Sequence, residues 1–411
     1  MLRKLLLKLL SSLSLYFSCP KRLFILLLLL ALFFRVLTFP GAHLGGFDEQ
    51  MYRIFAIALG TDGPAAIRYI VQQFPDNETL RQGPLPLRIA YIAACTLAGK
   101  LLGGYSFFNL ALVSLISGIG VIILGYFLLR EWFGPSVVFL SCLLLVTSPL
   151  AAGLSRRALS DSFFTFLAAG IFLFYDRSWR YKRMRDALCL GVFLTTAFLA
   201  KESVLLLYPC LGLAAFYYRK EMHCVMPLRI AVPLFLSPLI YLLVSAWIAG
   251  GLQAYLHTYI TYSQMPRSIA YSLKFQKGPW FRYLIDFFLI SPGVYIFSLA
   301  GMCSFVRLQD SFGRRLAVVY SLGGLVLFSM LIFFNLRLVL FVDIFLRALA
   351  ALGILSLAGR FKNINYRYAA LAVLLILVLA TDIHQFFKLF IRAGVYDPVT
   401  AFLIDANGFV R

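Results

Sequence analysis

Apolar runs of about 15–23 residues recur from one end of this sequence to the other. An α-helix rises about 1.5 Å per residue, so roughly 20 such residues cross the hydrocarbon core of a bilayer. The runs do not alternate polar with apolar residues, which excludes membrane-spanning strands. Hydrophobic residues make up 62% of the 411, well above the roughly 45–50% of a soluble domain. The fold class expected is therefore an all-α polytopic membrane protein.

The runs place about 11 spans, at 23–39, 107–129, 136–150, 162–175, 187–200, 204–218, 230–249, 283–305, 316–334, 338–357 and 368–386. The opening stretch 1–21 reads as a basic amphipathic helix lying on the membrane before the first span. Lys/Arg clusters set the orientation, because cytoplasmic loops are enriched in them. The segment "DRSWRYKRMRD" holds five, and "YRK" at 218–220, "RLQDSFGRR" and "GRFKNINYR" fall on the same side of the predicted spans. The N-terminal cations join that side only if 85–104 does not cross, so 85–104 is expected along the outer surface with Arg88 reaching the headgroups. The whole stretch 40–105 then forms one large external loop, with a second at 250–282 and a short external tail at 391–411.

The net charge of +21 does not indicate nucleic acid. The bases sit in short clusters between apolar runs rather than on one face of a soluble domain, and topology and anionic lipid account for them. Seven cysteines without CxxC spacing and four scattered histidines offer neither a disulfide framework nor a zinc site.

In a chain with only 17 Asp and Glu, several stand at predicted external membrane edges. Asp48 and Glu49 are adjacent in "GGFDEQMY", Asp161 opens a span, and Glu202 follows Lys201. Helix capping is the plain reading of Asp161, and pairing with Lys201 that of Glu202. Arg81, Arg88, Arg156, Arg157, Lys201, Lys277 and Arg337 fall on the same side. Lys201 interrupts an apolar run, which requires a partner, a polar cavity or snorkelling. Asp343 and Arg347, four residues apart, read as a structural intramembrane pair. Bases suit a phosphate, and an acid beside them suits proton abstraction from a hydroxyl. A polyprenyl-phosphate-linked sugar unites phosphate, membrane and hydroxyl chemistry.

These stretches resemble the GT-C superfamily of integral-membrane glycosyltransferases, in the branch of the protein O-mannosyltransferases and the lipid A aminoarabinose transferase. "FDEQMY" resembles the Asp-Glu motif of that family's first external loop, and "RQGPLPLRIAYIAACTLAG" its surface helix. "SRRALSD" is similar to the second-loop pattern of Arg, three residues, then Asp. "FLAKESVLLLYP" resembles the segment joining two short spans. "RQGPLPLR" replaces a commoner His/Lys-Pro-Pro-Leu, leaving open whether Arg81 or another cation takes the matching role.

The resemblance implies a GT-C-like fold with surface-lying helices in the first external loop, a catalytic module over 22–220 and a variable transmembrane half over 221–390. It implies an inverting transfer from a polyprenyl-phosphate sugar to a hydroxyl of a lipid, glycan or protein, at the outer face of what is expected to be a bacterial inner membrane. Asp48, Glu49 and Asp161 are the expected catalytic residues, Asp48 being favoured as base over Glu49. Arg81, Arg157, Lys201, Lys277, Trp280 and Arg337 are expected to bind the phosphate or sugar. No cofactor is required; a divalent metal on Asp48 and Asp161 is allowed but not favoured. The alternatives are a flippase for lipid-linked sugars, whose sites lie at mid-bilayer, and a polymer ligase using a lipid-diphosphate donor.

Overall fold

The computed structural model describes residues 20–37, 46–222, 226–267, 269–307, 312–330 and 334–393, with Val399 and Phe402. Most of the surface helix expected over 1–21, and most of the tail expected over 391–411, lie outside the described residues.

Among the described residues the regular structure is all helix, with no strand. Helix α1 (Pro20–Leu37) precedes four helices in the stretch 46–105: α2 (Phe47–Thr61), α3 (Pro64–Gln73), α4 (Glu78–Arg81) and α5 (Ile89–Leu101). Six follow: α6 (Phe107–Trp132), α7 (Pro135–Val146), α8 (Pro149–Leu154), α9 (Ser160–Tyr181), α10 (Met184–Ala200) and α11 (Leu207–Met222). The second half holds α12 (Leu228–Ala249), α13 (Leu252–Gln264), α14 (Ala270–Phe275), α15 (Arg282–Ile290), α16 (Pro292–Arg307), α17 (Phe312–Ser329), α18 (Val342–Ala358) and α19 (Ile364–Gln385).

Among the described residues four helices are long and apolar enough to cross a membrane alone: α6, α12, α17, and α19 with its continuation to Arg392. The other apolar runs form shorter helices, or helices that end in charged residues as α9 does. The run 283–305 is not the single straight span that its hydropathy predicts. It breaks at Ser291, and α15 and α16 meet at 116°. Proline has no N–H and clashes with the preceding turn, so Pro292 starts a new helix instead of extending α15. Pro149 divides the run 136–150 in the same way. Helix α5 has 13 residues, about 20 Å, too short to cross unaided. It packs on α2, where Thr96 donates to the Ala56 carbonyl at 3.2 Å.

Helix α18 is apolar around most of its circumference and is buried on nearly every side, as such a pattern requires. Its approach to α16 depends on two glycines. A Cβ on Gly353 would fall inside the carbonyl oxygen of Phe297, and one on Gly301 inside that of Leu349. Small residues bring membrane helices to backbone contact in this way.

At one end of the bundle lie the C-termini of α6 and α9. Asp176 there accepts from Trp132 at 3.0 Å and from Arg180 at 2.9 Å, and Arg177 pairs with Asp186 at 3.4 Å. The N-termini of α6 and α9 lie at the opposite end with α2, α5 and the turn at Lys201.

Candidate active site

Two helix N-termini supply the acids. Asp48 and Glu49 lie in the first turn of α2, and Asp161 lies in the first turn of α9. Neither aspartate is the capping residue: those positions belong to Gly46 and Leu159. The carboxylates still gain from the positive end of the helix dipole, and their side chains are left for other partners.

Two turns supply the cations. Lys201 ends α10 in extended backbone and opens a 3-10 turn, Glu202–Leu206. Arg337 lies in a second 3-10 turn, Leu336–Val339, capped by Asn335. Lys201 Nζ reaches Asp161 Oδ1 at 2.5 Å. Arg337 Nη1 stands 3.1 Å from Asp48 Oδ2 and 3.8 Å from Asp161 Oδ2. Asp48, Arg337, Asp161 and Lys201 thus form one chain of alternating charge from four separate segments.

Burial divides their roles. The Asp48 side chain retains 36% exposure, whereas those of Asp161 and Lys201 retain 5% each. Burial alone would raise the Asp161 pKa, but Lys201 and Arg337 outweigh it and hold the carboxyl below the ordinary carboxylate range. Burial pulls Lys201 below the ordinary lysine value, opposed by Asp161. Lys201 does not snorkel; its charge is compensated inside the protein.

Glu49 is occupied differently. It accepts from Arg157 through both carboxylate oxygens, from Ala158 N at 3.0 Å and from Gly46 N at 2.7 Å. It is 2% exposed. These bonds tie the start of α2 to the 155–159 segment. Asp48 has Arg337 as its one hydrogen-bonding side chain among the described residues.

Arg88 does not reach outward as its position in an apolar stretch suggests. It is buried, clasps Glu202 with two nitrogens, and donates to Tyr52 and Tyr262, both at 2.8 Å. Glu202 therefore pairs with Arg88, not with its neighbour Lys201. Tyr52 continues the network to Ser160 at 3.0 Å. Tyr262 brings in α13, so the stretch 250–282 is fastened to the turn beside Lys201.

Three expected binding residues stand apart. Lys277 and Trp280 are exposed and make no hydrogen bond or ion pair with the four-residue chain. Arg81 is half-buried, with no acidic partner among the described residues. Asn335 was not apparent from sequence. Its Oδ1 accepts from Arg337 N at 3.1 Å and Arg337 Nε at 3.3 Å, and the only signal for it is an Asn two residues before an Arg. Asn335 N donates to the Tyr283 hydroxyl at 3.2 Å, and Phe334 N donates to the Gln276 carbonyl at 2.8 Å. The segment before α15 thus positions Arg337. Among the described residues no group of three or more His, Cys, Asp or Glu is arranged to hold a metal, and the cation between Asp48 and Asp161 is Arg337.

The family model described as dolichyl-phosphate-mannose-protein mannosyltransferase matches residues 85–241. No curated protein sequence matches the chain. Among solved structures, it is similar to the Archaeoglobus fulgidus oligosaccharyltransferase tethered with an acceptor peptide, with a TM-score of 0.62 and 13% identity over 90% of this chain and 55% of that one. The same archaeal enzyme, AglB, in complex with an inhibitory peptide and a dolichol-phosphate, gives a TM-score of 0.59 at 13% identity, covering 90% of this chain and 55% of that one. ArnT from Cupriavidus metallidurans bound to undecaprenyl phosphate gives 0.55 at 16% identity, covering 92% of this chain and 73% of that one. The chain spans about half the length of the oligosaccharyltransferases it matches. The likeness to these structures is one of fold: all-α, with helices long and apolar enough to cross a membrane.

Proposed function

We propose that this chain is an inverting glycosyltransferase that moves a sugar from a polyprenyl-phosphate donor to a hydroxyl acceptor at the outer face of the membrane. The observation that carries the reading is the convergence of Asp48, Arg337, Asp161 and Lys201, with Asp48 the acid that stays open. The dolichol-phosphate and undecaprenyl phosphate bound by the two structural relatives support the donor class, and the match over 85–241 supports sugar transfer.

The acceptor hydroxyl attacks the anomeric carbon from the side opposite the phosphate. Asp48 takes its proton as the new C–O bond forms, for a gain on the order of 10²–10⁴-fold. The bond from the anomeric carbon to the phosphate oxygen breaks, and its electron pair leaves with the polyprenyl phosphate. Arg337, which touches Asp48 and keeps 20% side-chain exposure, stabilises the charge that develops there; one fixed donor of this kind is worth about 3–4 kcal/mol. Lys201 and Arg157 are committed to Asp161 and Glu49 and fix the geometry from behind. No step requires a metal or other cofactor.

Three of the four residues stand in helix-terminal turns at one end of the bundle, which favours surface chemistry over a mid-bilayer transport site. The test is turnover of labelled polyprenyl-phosphate sugars by the purified chain beside Asp48→Asn. Wild type transfers sugar, and the variant is slower by about 10²-fold or more while melting normally. Equal rates in the two proteins reject Asp48 as base; no turnover and no binding of any lipid-linked sugar reject the reading altogether.

A further inference from the structure

Arg156 stands next to Arg157, yet its surroundings are different. The residue is 6% exposed, and its Nε is buried without a hydrogen-bond partner. None of its side-chain nitrogens pairs with an acid among the described residues, and its guanidinium carbon lies 5.8 Å from the centre of the Phe386 ring. Three cations close to it in the fold are each matched to an acid: Arg157 to Glu49, Lys201 to Asp161, Arg88 to Glu202. A ring face returns only part of what a guanidinium loses on leaving water.

Among the described residues the surrounding chain packs apolar side chains around that cation and pairs it with no anion. Phe386 opens the wide helical turn Phe386–Arg392 and packs against Phe34 of α1 at 5.1 Å. Phe390 of the same turn covers Gly153, just before Arg156, where any side chain would collide with its ring. The turn also carries Lys388 and Arg392, both exposed, beside exposed Phe387 and Ile391. Neither 153–159 nor 383–393 contains an acid. The acids that flank these two segments are taken: Asp161 by Lys201 at 2.5 Å and Asp382 by Arg347 at 2.7 Å.

We infer that Arg156, where the 155–159 segment meets the Phe386–Arg392 turn, is a binding site for a phosphate-bearing anion, distinct from the chain of Asp48, Arg337, Asp161 and Lys201, with which it shares no hydrogen bond. A guanidinium presents a planar fork of N–H donors that matches two phosphate oxygens at once. Lys388 and Arg392 on the same turn as Phe386 add positive charge to this part of the surface, and Phe387 and Ile391 add exposed apolar area. Burial and the adjacent Arg157 pull the Arg156 pKa down to about 10, so it is cationic at neutral pH. The ligand is a phospholipid headgroup or a free phosphate, which share this chemistry. The inference does not depend on the proposed transferase activity.

The experiment uses the purified full chain in a neutral detergent. Inorganic phosphate, phosphatidylglycerol and zwitterionic phosphatidylcholine are titrated separately, following the melting temperature and, for lipids, adducts by native mass spectrometry. Phosphatidylglycerol alone raising the melting temperature identifies a headgroup site; inorganic phosphate doing so identifies a free-anion site. In either case Arg156→Gln should weaken binding about tenfold or more, the scale of a lost charged hydrogen bond. Arg156→Lys, which keeps the charge but loses the fork, should fall between and serves if the glutamine variant does not fold. Binding of neither anion, or equal binding by wild type and the folded variants, overturns the site.

Discussion

Asp48 and Glu49 are neighbours with opposite fates, decided by one step along α2. Asp48 faces the opening and meets Arg337, while Glu49 turns into the protein and receives four hydrogen bonds, two from Arg157 and two from backbone N–H groups. Removing the charge of a buried, fully paired acid costs about 3–5 kcal/mol. Glu49→Gln should therefore lower the melting temperature far more than Asp48→Asn, as differential scanning fluorimetry of the two proteins will show; equal melting would remove this division of labour. Lys201 gives a prediction whose sign depends on pH. Asp161 is held below its ordinary pKa, so it stabilises the fold above its unfolded pKa, and that contribution is lost as pH falls through the lowered folded value. Lys201→Met removes its leading cation and should cost on the order of 3 kcal/mol at neutral pH. The gap to wild type should narrow below about pH 4, where the carboxyl is protonated in the unfolded chain. A gap in thermal melts that is as large at about pH 3 as at pH 7 would show that Asp161 is not what Lys201 supports.

At the scale of elements, two devices set the architecture. Proline breaks at Pro149 and Pro292 turn continuous apolar runs into pairs of helices. The second device is the crossing of α16 and α18, where Gly301 and Gly353 bring two backbones together. A larger side chain forces these helices apart along a core helix that is buried on nearly every side. Gly353→Leu should destabilise the protein by more than the roughly 1–3 kcal/mol typical of overpacking, because the obstacle is backbone rather than a movable side chain. Loss of the monodisperse folded peak on size exclusion, with Gly359→Leu as a comparison near the end of the same helix, is the measurement. Elements at the site behave differently: Asn335, Tyr283 and the Gln276 carbonyl act through hydrogen bonds to hold a turn, not through burial.

Across the whole molecule, apolar run length gave the helical class, and the lone charges within those runs gave Asp48, Asp161 and Lys201, since a charge beside a hydrophobic wall is expensive unless used. Arg88 was misread because an arginine in an apolar stretch looks the same whether it snorkels or finds a glutamate 114 positions away. Tyr262 and Asn335 were invisible, because polar side chains are ordinary in loops and only the fold brings them to the site. The same long reach governs Arg337, which meets Asp48 across 289 positions. The proposed site is thus divided between the first 220 residues and the second half of the chain. The N-terminal portion expressed alone should insert in membranes yet transfer no sugar. Co-expressed as two polypeptides parted near 223–225, the halves should reassemble and regain transfer, and an Arg337→Gln second half should restore the fold without the rate. A chain of this design can be switched by keeping its pieces apart, which makes it a candidate for split-protein complementation in a living membrane.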